Sequence, residues 1–202
     1  MNIFVTGTST NVGKTVVSAW ICLHTKASYW KPIQTGSEID SDKKVMEVLS
    51  PKTKRVDEVY LLKAPLSPYD AAKFEDIDID VKKILSKTPE RTVIEGAGGI
   101  CVPIQENFQM LDLAALSNSH TLVVAKSELG MLNHLFMTID ALARRSISII
   151  GVVLIGNTEN FLIKTIEKFT KVRVLQILPV VENVKRMIDT TPLPNEIYRT
   201  FQ

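Results

Sequence analysis

The sequence predicts an α/β fold of three layers, a mostly parallel central sheet flanked by helices, and two observations carry that prediction. Apolar runs alternate with amphipathic stretches along the 202 residues, the pattern that repeated strand-helix-strand units produce. The runs are also rich in β-branched residues, as in Ile147-Ser148-Ile149-Ile150-Gly151-Val152-Val153-Leu154-Ile155, which suits strands covered on both faces. Strands are expected at Asn2–Thr6, Ser28–Ile33, Arg91–Glu95, Thr121–Ala125, Ile147–Ile155 and Arg173–Leu178. Between and after them the spacing predicts helices at about 14–25, 42–49, 79–87, 110–117, 131–145, 158–170 and 182–188. The stretch 50–78 has no clean period and carries Pro65 and Pro68, so a surface loop with short helical pieces is expected there. No repeat, low-complexity tract or linker interrupts the pattern, and residues 1–202 are expected to form one domain.

Composition narrows the function. The balance of 24 Lys+Arg against 22 Asp+Glu gives a net charge of +2, and no Lys/Arg run exceeds two residues, which argues against a nucleic-acid partner. The longest uncharged stretches, such as Ser146–Thr158, are 13 residues, short of the roughly 20 apolar residues that span a bilayer. No membrane span is expected. Met1-Asn2-Ile3-Phe4-Val5 lacks a basic leader and reads as a first strand. Cys22 and Cys101 have no metal-ligand spacing and suit a reducing compartment, so a cytoplasmic location is expected.

The glycines point to one edge of the sheet. Gly7, Gly13, Gly36, Gly96, Gly98 and Gly99 all follow predicted strands, and in open α/β sheets ligands bind beyond the carboxyl ends of the strands. The strongest motif lies there: Gly7-Thr8-Ser9-Thr10-Asn11-Val12-Gly13-Lys14-Thr15, between the first strand and a helix. A polyphosphate needs backbone N–H donors, a helix N-terminus, a cation and a hydroxyl for Mg²⁺, and this segment offers them in order. Lys14 would reach the β- and γ-phosphates and Thr15 the metal. The strict Gly-x₄-Gly-Lys-Thr form is not met, because Thr8 stands six before Lys14 and the glycine falls one residue earlier. Strand-loop-helix context and Gly-Lys-Thr together still point to a P-loop NTPase-like fold; no Gly-x-Gly-x-x-Gly supports a dinucleotide fold.

Two further segments reach the same edge. Lys31, in Trp30-Lys31-Pro32-Ile33-Gln34-Thr35-Gly36, is a cation in an otherwise apolar strand. It either snorkels to solvent or stabilises charge on a transferring phosphoryl group. Glu95 ends the third strand before Gly96-Ala97-Gly98-Gly99, where a Mg²⁺-holding acid would sit in a P-loop enzyme. Asp42 opens the next helix and, on spacing alone, reads better as a favourable partner of the helix dipole than as a metal ligand. His24, His120 and His134 form no pair at ligand spacing, and no Ser-His-Asp or Cys-His arrangement is visible.

The phosphate loop, Lys31–Gly36, Ser41-Asp42, Glu95–Gly99, Gly130-Met131-Leu132-Asn133-His134 and the strand ending Gly156-Asn157 together resemble the dethiobiotin synthetase family, in order from residue 2 to about 180. The resemblance implies a homodimeric, Mg²⁺-dependent ligase that inserts CO₂ between the two amino groups of 7,8-diaminononanoate, converting ATP to ADP and phosphate through a carbamate and a carbamic-phosphoric anhydride. It implies catalytic roles for Lys31, Lys14 and Thr10, and metal ligation by Thr15, Asp42 and Glu95, which reverses the dipole reading of Asp42. For the nucleotide it implies Asn11, Val12, Gly13, Lys14, Thr15 and Val16, then Asp42, Glu95, Gly96, Ala97 and Gly98, with Asn157, Pro179 and Val180 around the base. For the diamine it implies Thr10, Lys31, Thr35 and Gly98, with Gly130, Met131, Leu132 and Asn133 of the neighbouring subunit receiving the carboxylate at a helix start. The chain departs from the family at Ser9, where Asp is common, and at Tyr69, where a Pro-His pair commonly follows Pro68. The short segment after Pro179 offers few base-reading groups, which predicts turnover with several nucleoside triphosphates. The alternative is a nucleotide-sensing module of the same fold, which could dispense with Lys31, Thr35 or Glu95, whereas all three are present. A partitioning-type ATPase expects a lysine where Ser9 stands.

Overall fold

The computed structural model describes residues 1–38 and 41–202. Its elements are β1 (Asn2–Gly7), α1 (Lys14–Thr25), β2 (Ser28–Trp30), β3 (Ile33–Gln34), α2 (Asp42–Leu49), β4 (Arg55–Val56), β5 (Tyr60–Leu61), α3 (Pro68–Phe74), α4 (Val81–Ser86), β6 (Thr92–Gly99), β7 (Pro103–Gln105), β8 (Phe108–Gln109), α5 (Met110–Leu116), β9 (Ser119–Lys126), α6 (Met131–Arg144), β10 (Ile149–Ile155), α7 (Asn160–Thr170), β11 (Val174–Leu178), α8 (Val184–Thr190) and α9 (Asn195–Arg199). Among the described residues, seven strands make the main sheet in the order β11-β10-β9-β1-β6-β2-β4, every neighbouring pair parallel. β1 is central, with Phe4 in register with Ile94 on one side and Thr121 on the other.

Because successive side chains on a strand face opposite ways, β1 divides the core in two. Ile3 and Val5 pack with Val17, Trp20 and Tyr29 on the α1 side, while Phe4 packs with Ile94, Met110 and Leu135 on the α5 and α6 side. The α1 side is also where the end of the chain docks. Trp20 Nε1 donates to the Thr191 carbonyl at 2.9 Å, and His24 Nε2 lies 2.9 Å from the Ile188 carbonyl. A carbonyl only accepts, so that ring nitrogen carries the proton. Arg91 spans the Phe201 and Thr25 carbonyls at 2.9 and 3.1 Å. Thus α1, which starts at the phosphate loop, is tied through its second half to the last two helices and the residues that follow them.

The expected strand Ser28–Ile33 is two strands. Pro32 has no N–H to donate, so the ladder stops at Trp30, and the Pro32 carbonyl instead accepts from the amides of Val59 and Tyr60 at 2.8 and 3.1 Å. The chain peels off the main sheet, and β3 forms a separate two-stranded sheet with β5. The stretch 50–78 holds the helical piece expected of it, α3, but also the strands β4 and β5. The β7-β8 hairpin and α9 were not anticipated either.

Candidate functional site

The loop between β1 and α1 is shaped by two glycines. A Cβ on Gly7 would meet Val12 Cγ2 at 2.6 Å and the Ser9 carbonyl oxygen at 2.9 Å, so the loop closes over a residue without a side chain. Gly13 is the N-cap of α1 at φ 96°, a conformation that favours glycine, and its Cβ would lie 2.9 Å from Ile155 Cγ1. Among the described residues no side chain caps α1, which leaves its first-turn amides to an outside acceptor. Lys14 is buried and donates from Nζ to the Ser9 carbonyl at 3.0 Å. Burial pushes its pKa down, with Glu95 pulling the other way, so an anion brought beside it would relieve a cost already present.

Facing the loop, four side chains from four segments converge. Thr15 Oγ1, in the first turn of α1, is 2.7 Å from Asp42 Oδ1 and 2.9 Å from Glu95 Oε1. Asp42 is the first residue of α2, and Glu95 stands on β6 beside Val5 of β1. Lys31, released by the break at Pro32, bonds Asp42 Oδ2 and lies 3.5 Å from Glu95 Oε1. Burial alone would lower the Lys31 pKa, but Glu95 and then Asp42 outweigh it and hold the ammonium above the usual lysine value. In the same way burial would raise Asp42, and the Lys31 charge and hydrogen bond hold it below the usual carboxylate value. The second Glu95 oxygen, Oε2, accepts from Ser18 Oγ and Tyr29 Oη, each at 3.1 Å. Burial and then Glu95 push the Tyr29 phenol well above its ordinary pKa.

This donor set suits a hard divalent cation. The Thr15 hydroxyl has one proton and two carboxylate oxygens at bonding distance, so three oxygens meet at a point their own hydrogens leave partly unsatisfied. Among the described residues no group of three or more His, Cys, Asp and Glu could hold a metal. Two carboxylates and a hydroxyl would leave the remaining positions to phosphate oxygens and water, as Mg²⁺ prefers.

A cleft of about 350 Å³ collects most of the expected residues: Thr10, Asn11, Gly13, Lys14, Thr15, Val16, Lys31, Thr35, Asp42, Glu95, Ala97 and Gly98 all line it, together with Gln34. Gln34 was not anticipated, although it lies inside the Lys31–Gly36 segment. Val12 and Gly96 do not line the cleft. Val12 is buried in the α1-side core, and a Cβ on Gly96 would press on the Phe4 ring at 3.1 Å. Asn157, Pro179 and Val180 follow β10 and β11 at the same sheet edge, exposed and outside this lining, with Ser127 Oγ donating to the Asn157 carbonyl at 2.7 Å. Gly130 is the N-cap of α6 at φ 92°, with Met131, Leu132 and Asn133 in the first turn. These too lie outside the cleft. A neighbouring groove of about 560 Å³ runs from Thr8–Thr10 past Ile100 and Val102 to His134 and Met137, so α6 borders the other side of the phosphate loop.

A family model described as an AAA domain matches residues 1–187. Over 183 residues the chain is 45% identical to the ATP-dependent dethiobiotin synthetase BioD of Paramagnetospirillum magneticum, covering 89% of each protein. The chain belongs to the dethiobiotin synthetase family. A dethiobiotin synthetase of Lawsonia intracellularis is 37% identical over 202 residues, covering 100% of this chain and 99% of that one. Among solved structures, the ParA family ATPase of Chlorobium tepidum TLS superposes with a TM-score of 0.57 at 10% identity, covering 98% of this chain and 96% of that one. The MinC:MinD cell division complex of Aquifex aeolicus gives 0.56 at 14% identity, covering 99% and 93%. At such identities the likeness is one of fold, a parallel α/β sheet of P-loop type. The same scaffold thus serves proteins named for quite different tasks, and this chain's chemistry rests on its own cleft.

Proposed function

We propose that this chain makes dethiobiotin from 7,8-diaminononanoate, CO₂ and ATP, as a Mg²⁺-dependent homodimer in the cytoplasm. The observation that carries the reading is the convergence of Lys14, Lys31, Thr15, Asp42 and Glu95 on one cleft at the start of α1. The loop amides and Lys14 bind the β- and γ-phosphates. Thr15, Asp42 and Glu95 would hold Mg²⁺, which when bound neutralises phosphate charge. Thr10, Thr35 and Gly98 orient the diamine. An amine that has taken up CO₂ is a carbamate, and both it and the γ-phosphate are anionic, so the two ammonium groups of Lys14 and Lys31 lower the repulsion between them. The carbamate oxygen attacks the γ-phosphorus and the bond to ADP breaks, giving a carbamic-phosphoric anhydride. The second amine then attacks the anhydride carbonyl, phosphate leaves with the bonding pair, and the amine proton is lost as the ureido ring closes.

The substrate carboxylate is received at the first turn of α6, Gly130–Asn133, of the partner, where uncapped amides suit an anion. Leu129, fully exposed beside it, supports a subunit contact at that turn. Asn157, Pro179 and Val180 border the base. The free thiols of Cys22 and Cys101 suit a reducing compartment, and the sheet running unbroken from β11 to β4 supports residues 1–202 as one domain. The test is phosphate release from Mg²⁺ and ATP with and without diaminononanoate and bicarbonate. Release that depends on both is expected; release indifferent to the diamine would overturn the ligase reading in favour of a nucleotide-responsive module.

A further inference from the structure

We propose that Tyr29 and Ser18 are positioning residues that hold the Glu95 carboxylate so that only its Oε1 faces Thr15, Lys31 and the cation. The proposal rests on the reading of Glu95 as a cation-holding acid.

The geometry divides the carboxylate in two. Oε1 meets the functional groups, Thr15 Oγ1 at 2.9 Å and Lys31 Nζ at 3.5 Å. Oε2 meets two neutral hydroxyls, each at 3.1 Å. All three residues are inside the protein, Glu95 at 1%, Tyr29 at 2% and Ser18 at 0% exposure. Among the described residues neither hydroxyl has another hydrogen-bond partner, so each is directed at Oε2 alone. A hydroxyl in an apolar core costs free energy unless it is bonded, and Phe would fill the core space of the Tyr29 ring at no such cost. The two donors also come from elements that position the rest of the site. Ser18 is one helical turn beyond Thr15 on α1, hence on the same face, and Tyr29 pairs across to Val93 on β6, two residues before Glu95. Without them, Glu95 would satisfy Oε2 by turning toward the Lys31 ammonium, which draws Oε1 away from Thr15.

The test compares wild type with Tyr29→Phe, Ser18→Ala and the double variant. Binding of a fluorescent ATP analogue is measured first in EDTA and then as Mg²⁺ is added. The Mg²⁺ concentration at half-saturation should rise about 10-fold in Tyr29→Phe and further in the double variant, the scale on which groups orienting metal ligands act. Affinity in EDTA should stay within about 2-fold, because the hydroxyls do not touch the nucleotide subsite. In turnover the loss should fall on KM for Mg²⁺-ATP and spare kcat. Lower melting temperatures with an unchanged Mg²⁺ titration in all three variants would overturn the proposal and leave only a packing role. Glu95→Gln separates the two readings. If it destroys the Mg²⁺ response while the hydroxyl variants keep it, only the positioning proposal falls. If it too leaves the response intact, Glu95 does not hold the cation and both fall.

Discussion

Replacing Lys31 with Met keeps most of the side chain's bulk and removes its charge. Lys31, Asp42 and Glu95 have side-chain exposures of 10%, 21% and 1%, so the two carboxylates lose their cation where water replaces it poorly. At a separation on the order of 5 Å and an effective dielectric of 20, two unit charges repel by about 3 kcal/mol. That agrees with the roughly 3–5 kcal/mol lost when one partner of a buried ion pair is removed. For a domain of this size each kcal/mol is worth about 2–4 °C, so the melting temperature in EDTA should fall by roughly 6–20 °C. Added Mg²⁺ should recover part of that loss, because a divalent cation between Asp42 and Glu95 replaces the missing charge. The rate should fall more steeply. An ion aimed at charge that develops during phosphoryl transfer is worth about 10²–10³ in kcat, with nucleotide affinity changing far less. Calorimetric melting with and without Mg²⁺, set beside phosphate release in the presence of diamine and bicarbonate, measures both. A destabilised variant turning over within about 3-fold of wild type would show that Lys31 only neutralises the carboxylates, and would refute its place in the mechanism.

Gly13→Ala should cost about 1–2 kcal/mol from its left-handed backbone and more from the approach to Ile155, and titration calorimetry should show weakened ATP binding; unchanged affinity would mean the loop tolerates a Cβ there. The stability difference between wild type and Lys31→Met should itself depend on pH. Lys31, raised by Glu95 and Asp42 against burial, contributes fully below the ordinary value of 10.5, and its contribution is lost as pH climbs through the raised value. Asp42, lowered by Lys31 against burial, contributes above its ordinary 3.8, and its contribution is lost as pH falls through the lowered value. Urea midpoints of the two proteins should therefore differ most at neutral to mildly alkaline pH and converge as pH climbs through the raised Lys31 value or falls into the carboxylate range. On the proposed placement, Pro179 and Val180, both exposed, would offer the base apolar surface, and apolar pockets discriminate by about 10–200-fold. GTP and CTP should support turnover with kcat/KM within about 100-fold of ATP, and discrimination near 10⁴ would require a hydrogen-bonded base site.

The parts of this molecule legible in the sequence are those with long periods or fixed offsets. The main-sheet strands β1, β6, β9, β10 and β11 announce themselves as apolar, β-branched runs, and Gly13-Lys14-Thr15 marks the start of α1 because only glycine fits before it. Strands of two residues such as β4 and β5 have no period to read, since they exist through the carbonyls of partners supplied elsewhere. Some signals were present and unused. Pro32 forbids a ladder through Lys31, and Ser67-Pro68-Tyr69-Asp70 is a helix start, with Ser67 Oγ accepting from the Asp70 amide at 3.2 Å. Asp42 shows how spacing misleads. A carboxylate at the start of α2 suits the helix dipole; the family resemblance points to the metal instead, and the fold sets this start against Thr15 and Lys31. Tyr29 and Ser18 had no signature at all, for one reads as a strand aromatic and the other as a helix filler until the sheet brings Glu95 between them.

The ties from Trp20 and His24 to the carbonyls of Thr191 and Ile188 mean that the two ends of α1 answer to different parts of the chain. A helix of 12 residues spans roughly 18 Å and moves nearly as one rod. The part of any free energy by which a triphosphate orders the whole helix would appear as firmer docking of residues 184–201, and that coupling would run equally in reverse. A substitution in the terminal helices, remote from every reacting atom, would register as weakened nucleotide binding and pass for a defect of the cleft. Conversely, amide exchange around Ile188 and Thr191 becomes a distant gauge of what the phosphate loop holds.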